Sequence, residues 1–141
     1  AKSTTTVDMS NTYLDWGEDN LRVNNLLGRQ HRFIRADCID WLYQPDDLFD
    51  VIFLDPPTFS NSKKMDSTFD IQRDHVNLLE LTAKHLKPDG TLIFSNNRRG
   101  FKLDADALPN LVFEEITHKT KPDDFARNNH VHRAWRITHQ S

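Results

Sequence analysis

The sequence predicts an α/β protein built on a doubly wound sheet, and three observations lead there. Strand-like and helix-like segments alternate along the chain, and parallel neighbours in a sheet need helical crossovers of that kind. Phe49-Asp50-Val51-Ile52-Phe53-Leu54 is a near-continuous apolar run, the pattern of a strand buried on both faces of a parallel sheet. Three successive strand-like segments end in a carboxylate, at Asp8, Asp37 and Asp55, and ligands of such sheets bind beyond the C-terminal ends of the strands.

The elements follow in order. Thr4-Thr5-Thr6-Val7 is β-branched and ends at Asp8, which predicts a strand. Ser10 or Asn11 can cap a helix over Tyr13 to Leu26, whose apolar stripe holds Leu14, Leu21 and Val23 and which Gly28 is suited to end. A second strand fits His31 to Ala36 and closes on Asp37, and a short helix through Trp41 and Leu42 stops at Pro45. The apolar run follows, then a polar loop from Thr58 to Ser67. A helix is expected over Phe69 to Leu86 with Val76, Leu79, Ala83 and Leu86 on one stripe, broken by Pro88-Asp89-Gly90. Thr91 to Ser95 reads as another buried strand, Ala105 to Leu108 as a short helical stretch, and Val112 to Ile116 with Ala134 to Thr138 as an antiparallel pair.

Composition narrows the function. A chain of 141 residues that is 37% hydrophobic can build one real core, so wholesale disorder is not expected. No stretch approaches the roughly 20 apolar residues that cross a bilayer, and Ala1-Lys2-Ser3-Thr4 lacks the pattern of a signal peptide, so a soluble cytoplasmic protein is expected. The single Cys38 permits no internal disulfide. His130 and His132 are too close for one helical face, and no Cys or carboxylate cluster completes a metal site, so no metal is expected. A net charge of −3 means that any nucleic-acid contact must be local. The basic candidates are Lys63 and Lys64, Arg98 and Arg99, and a late group of Lys119, Lys121, Arg127 and Arg133.

The sharpest local signal is Asp55-Pro56-Pro57-Thr58-Phe59, directly after the most strand-like run. Two prolines fix φ and remove two backbone donors, so the turn leaving the sheet is rigid and rich in acceptors. Such a turn suits the edge of a flat base, with an aromatic ring near enough to stack on its face. The bland alternative is a strand-ending turn in which Asp55 caps and Phe59 is core. Asp8, at a strand end, can accept the hydroxyl protons of a ribose or cap a helix, and Asp37 can equally cap the helix that starts after it. Asn96-Asn97 either hydrogen-bonds a substrate or forms a turn.

Asp55-Pro56-Pro57-Thr58-Phe59-Ser60-Asn61-Ser62-Lys63 resembles the motif IV region of bacterial large-subunit ribosomal RNA methyltransferases. Within them it is similar to the C-terminal half of the bifunctional enzymes whose two halves make N2-methylguanine and N7-methylguanine. Four further segments agree in order: Thr4-Thr5-Thr6-Val7-Asp8-Met9-Ser10, Phe69-Asp70-Ile71-Gln72-Arg73-Asp74-His75, Phe94-Ser95-Asn96-Asn97-Arg98-Arg99-Gly100-Phe101 and Asp124-Phe125-Ala126-Arg127-Asn128. The resemblance implies a Rossmann-like class I sheet, S-adenosylmethionine as cofactor, large-subunit ribosomal RNA as partner, and guanine N7 as the methylated atom. It implies that Asp8, with Met9 beside it, holds the cofactor ribose, and that Asp37 and the backbone of Cys38 hold the adenine. Asp55, Pro56 and Pro57 would line the junction of methyl donor and base, with Phe59 as a stacking ring. Asn96 and Asn97 would meet the guanine edge, and Arg98, Arg99, Lys63 and Lys64 would meet phosphates.

Guanine N7 carries a lone pair and no proton, so transfer to it needs positioning more than a general base. Methylation of cytosine C5 instead needs a thiolate, and Cys38 sits beside the proposed adenine contact rather than near Asp55. The family also carries a glycine-rich turn after its first strand, which Gly17, Gly28, Gly90 and Gly100 do not form. The chain is therefore expected to be a single partial catalytic domain over residues 1–141, lacking the first strand and the motif I loop and inactive by itself. Because that strand is central in the fold class, the edges flanking it are expected to close on each other or to pair with a second copy of the chain. The other readings are an RNA-binding module without catalysis, a methyltransferase acting on N2 of guanine or C5 of cytosine, and a nucleotide-dependent oxidoreductase of the same fold.

Overall fold

The β-branched Thr4-Thr5-Thr6-Val7 run extends as β1 (Thr4–Asp8) in a computed structural model that describes residues 1–44, 47–61, 68–120, 123 and 132–141. Contacts divide the chain into two compact units, Ala1–Gln44 and Pro45–Ser141.

In the first unit β1 pairs in parallel with β2 (His31–Arg35), Thr4 opposite His31 and Asp8 opposite Arg35. Helix α1 (Asn11–Val23) makes the crossover, and Ser10 caps it by accepting the N–H of Tyr13 on its hydroxyl. The helix ends before Gly28: Asn24 closes it and Asn25 adopts φ 57°, a left-handed conformation that Asn tolerates. Of its apolar stripe only Leu14 is buried, while Val23 is 82% exposed. Gly17 faces Phe33 so closely that an added Cβ would lie 2.7 Å from the ring, so any side chain there would force the ring to shift. Helix α2 (Cys38–Leu42) follows directly after Asp37, which caps it.

In the second unit four strands lie in the order β3 (Phe49–Leu54), β6 (Leu86–Asn96), β8 (Arg133–His139), β7 (Leu111–Glu115). β3 and β6 are parallel, whereas β8 runs antiparallel to both β6 and β7. Pro88-Asp89-Gly90 interrupts nothing: β6 already begins at Leu86, and its pairing jumps from Phe49↔Leu86 to Val51↔Thr91. The breaker residues occupy the irregularity, where a missing proline N–H costs no ladder bond. The crossover is α3 (Ile71–Ala83), shorter than expected because Leu86 belongs to the strand.

The segment between β3 and α3, expected as plain loop, carries β4 (Phe59–Ser60) and β5 (Phe69–Asp70), an antiparallel ladder two residues long. A further helical turn, α4 (Thr117–Thr120), lies before β8, and Ala105–Ala107 form a single 3-10 turn.

The core of the second unit is aromatic. Phe94 stacks on Trp135 at 5.7 Å, Phe101 meets both rings edge-on, and Leu79, Leu92, Ile71 and Ile137 are fully buried around them. Of the expected stripe Leu79 and Ala83 are buried and Val76 is half-buried, while the buried face of α3 also takes in the polar His75 and Thr82 beside Leu78. β3 corrects the sequence in another respect. Its Val51 and Phe53 are 67% and 70% exposed, because only the opposite face, with Leu54, packs within its unit. Among the described residues β1 pairs with β2 alone and β3 with β6 alone.

Two substitutions test this partition. Phe94→Ala should lower the stability of the chain by about 3–5 kcal/mol in urea unfolding, as expected for emptying a packed aromatic site. Phe53→Ala, on the exposed face, should change it by no more than about 0.5 kcal/mol.

Candidate active site

Because β1 and β2 run parallel, their C-terminal ends lie side by side and carry Asp8, Asp37 and Cys38. Asp8 Oδ1 accepts the N–H of Ser10 at 2.7 Å, and its backbone carbonyl accepts the N–H of Ala36. Ser10, not Asp8, is the cap of α1, and the second carboxylate oxygen of Asp8 makes no hydrogen bond among the described residues. Asp37 does cap: Oδ1 accepts from Ile39 at 2.9 Å and from Asp40 at 3.3 Å. Met9 is half exposed, with its carbonyl bound to Arg35.

Cys38 opens α2, and its thiol is pushed up to about 11, first by burial and then by the negative charges of Asp37 and Asp8. Near neutrality it is a protonated thiol, so the thiolate that a covalent attack requires is absent.

In the second unit the parallel pairing of β3 and β6 puts Leu54 opposite Phe94 and brings the turn after β3 to the end of β6. There the fully buried hydroxyl of Ser95 donates to Asp55 Oδ1 at 2.8 Å. Asp55 is exposed, as is Pro57, while Pro56 is half-buried. The turn is tied forward as well, since Thr58 accepts the N–H of Ile71 at the start of α3. Phe59 is 61% exposed, so it is not a core ring.

Asn96 is the most unusual residue of the unit. It is 1% exposed, its Oδ1 accepts the N–H of Arg98 at 3.1 Å, and its Nδ2 has no hydrogen-bond partner among the described residues. A buried amide nitrogen left unsatisfied costs on the order of 1–3 kcal/mol, which makes this one a candidate donor. Asn97 and Arg99 are exposed and Arg98 is half-buried.

Not all candidates come together. Lys63, Lys64, Lys121, Arg127 and the segment Asp124 to Asn128 lie outside the described residues. Of the late basic group, Lys119 pairs with Glu114 at 2.9 Å. Arg133 is engaged too: it binds both carboxylate oxygens of Glu115, donates to the carbonyl of Phe101 and lies 4.8 Å from the Trp135 ring centre. Both side chains are paired within the chain. Conversely, Ser95, Gln72 and His75 carry geometry that sequence reasoning assigned to no role. Their only signal was their place inside the Phe94 to Phe101 and Phe69 to His75 segments.

No protein-family model matches the chain. It is 57% identical over 141 residues to a ribosomal RNA large subunit methyltransferase K/L of Aeromonas salmonicida, and 54% identical over 143 residues to the protein of that name from Vibrio cholerae. The matches cover 99% and 100% of this chain but 20% of each relative, so the chain spans about a fifth of the length of the curated relatives it matches. Among solved structures, a SAM-dependent methyltransferase from Agrobacterium tumefaciens superposes with a TM-score of 0.71 over 97% of this chain and 49% of that one, at 13% identity. An rRNA methylase from Streptococcus thermophilus does so with a TM-score of 0.62 over 99% and 75%, at 9% identity. The fold is that of the SAM-dependent methyltransferases.

The state of Cys38 is directly measurable. At pH 8 its alkylation by iodoacetamide should run about a hundredfold slower than that of a thiol with the ordinary value of 9.0, with reactivity rising only as the pH approaches about 11.

Proposed function

We propose that this chain is part of the catalytic domain of an S-adenosylmethionine-dependent large-subunit ribosomal RNA methyltransferase, and that the atom methylated is N7 of a guanine. What supports this most is the Asn96 carboxamide, a buried donor without a partner at the strand end where the Asp55-Pro56-Pro57 turn arrives. On guanine the atom next to N7 that needs a donor is the carbonyl O6. A donor there fits transfer to N7, whereas N2 of guanine lies on the opposite edge of the base.

When bound, S-adenosylmethionine supplies a methyl group carried on a positively charged sulfur. Asp8 fits that cofactor: its carboxylate is half-buried at a strand end, with one oxygen occupied by Ser10 and the other open to a ribose hydroxyl. Asp37 and the backbone of Cys38 take the adenine, with Met9 alongside. Asp55, fixed by Ser95, would supply negative charge beside the base as it gains the positively charged methyl group. Pro56 and Pro57 keep competing N–H donors away, and the exposed Phe59 ring stacks on the base. N7 loses no proton, so no general base is required. Arg98, Arg99, Lys63 and Lys64 meet the RNA backbone, and Asn97 lies next to the recognised edge.

The test uses the longer protein that carries this segment, with labelled S-adenosylmethionine and unmethylated large-subunit RNA. Asp55→Ala should abolish transfer while the chain stays folded, with a stability loss of no more than about 1–3 kcal/mol for the Ser95 hydroxyl left without its acceptor. Asp8→Ala should weaken cofactor binding by about 1.5–3 kcal/mol in titration calorimetry. Near-normal transfer by Asp55→Ala, or unchanged affinity in Asp8→Ala, removes the assigned role.

A further inference from the structure

The loop that leaves β6 is pinned at several points. Asn96 Oδ1 holds the N–H of Arg98, Gly100 turns the chain at φ +70°, and Phe101 is buried with its carbonyl bound to Arg133. His75 sits beneath the far end. Its Nδ1 faces the carbonyls of Ile71 and Gln72, which can only accept, so Nδ1 carries the proton and Nε2 accepts the N–H of Asp104 at 3.1 Å.

One anchor differs from these. The Gln72 carboxamide takes both backbone groups of one residue: Oε1 accepts the N–H of Lys102 at 2.9 Å and Nε2 donates to its carbonyl at 2.8 Å. The same Oε1 also lies 3.4 Å from Arg98 Nη1. Asp70 Oδ1 accepts the N–H groups of Gln72 and Arg73, and Asp74 Oδ2 accepts the N–H of Asp70, so Gln72 projects from a capped, fixed turn. Asn96, Arg133 and His75 already secure the loop backbone. What Gln72 adds is a link to a guanidinium whose Nε and Nη2 make no hydrogen bond among the described residues.

We infer that Gln72 is a positioning residue: by bridging Lys102 and touching Arg98 it fixes the guanidinium in the place where it meets a phosphate of the substrate RNA. This rests on the reading of the chain as part of an RNA methyltransferase. A guanidinium held there reaches the phosphate, whereas one released from Gln72 is not directed at it, so the contact and the counterions it displaces are lost together.

The experiment measures RNA affinity against salt concentration in the longer protein carrying this segment, using large-subunit RNA without methylation. Each phosphate contact adds about 0.7–0.9 to the slope of log affinity against log salt. Arg98→Ala should lower the slope by about one contact. Gln72→Met, which keeps length and packing, should lower it equally, and the double variant no further. Gln72→Asn, one methylene too short to span Lys102, should behave like Gln72→Met, which guards against a folding defect in one variant. Loss of thermal stability alone would leave the slope untouched. If Arg98→Ala lowers the slope and both Gln72 variants keep the wild-type value, the positioning role is overturned while the RNA reading stands. If none of the variants moves the slope, Arg98 meets no phosphate and both fail.

Discussion

The parallel pairing of β3 with β6 is the constraint on which the candidate site depends. Once Leu54 stands opposite Phe94, the next residue of each strand is placed by the ladder, and the Ser95 hydroxyl reaches the Asp55 carboxylate at 2.8 Å. The register is held from inside, because Phe94 and Leu92 are buried against Trp135 and Ile137 and a slip of one residue would turn them outward. Core packing and site geometry are therefore one arrangement: the aromatic cluster that stabilises the sheet also sets where Asp55 and Asn96 end.

That arrangement leaves a polar group unsatisfied. Most buried polar atoms of the second unit are matched, as with Thr82 to the carbonyl of Leu78 and both nitrogens of His75. Asn96 Nδ2 is the exception among the described residues. A fold that satisfies its neighbours so fully, yet keeps one donor without an acceptor at a strand end, carries the cost that recognition of a carbonyl would repay. The first unit carries a carboxylate at Asp8, one oxygen of which makes no hydrogen bond among the described residues, and a thiol at Cys38 held protonated by burial.

Much of this was legible in the residues. The limits of β3, the caps at Ser10 and Asp37 and the antiparallel β7 and β8 follow from alternation, capping chemistry and apolar runs. Pro88-Asp89-Gly90 misled because a proline outside the hydrogen-bonded stretch of a ladder does not end a strand, so Leu86 was read as helix. Gly28 misled because Asn25 reached the left-handed conformation first. Val51 and Phe53 were read as buried because local sequence reports apolarity and not what covers it. In the site, strand ends announced Asp8, Asp37 and Asp55, but the roles of Ser95, Gln72 and Arg133 depend on contacts 40, 30 and 18 residues away, which no local pattern encodes.

The central claim is that a buried amide at the end of β6 and the turn at the end of β3 serve methyl transfer to guanine N7. Nucleoside mass spectrometry of large-subunit RNA tests it most directly, in cells lacking the longer protein and in cells where that protein returns with Asn96→Ala. One N7-methylguanosine should vanish in the first strain, return with the unaltered protein and stay absent, or nearly so, with Asn96→Ala. An unchanged N7-methylguanosine content in the strain lacking the protein, or full restoration by Asn96→Ala, would contradict it.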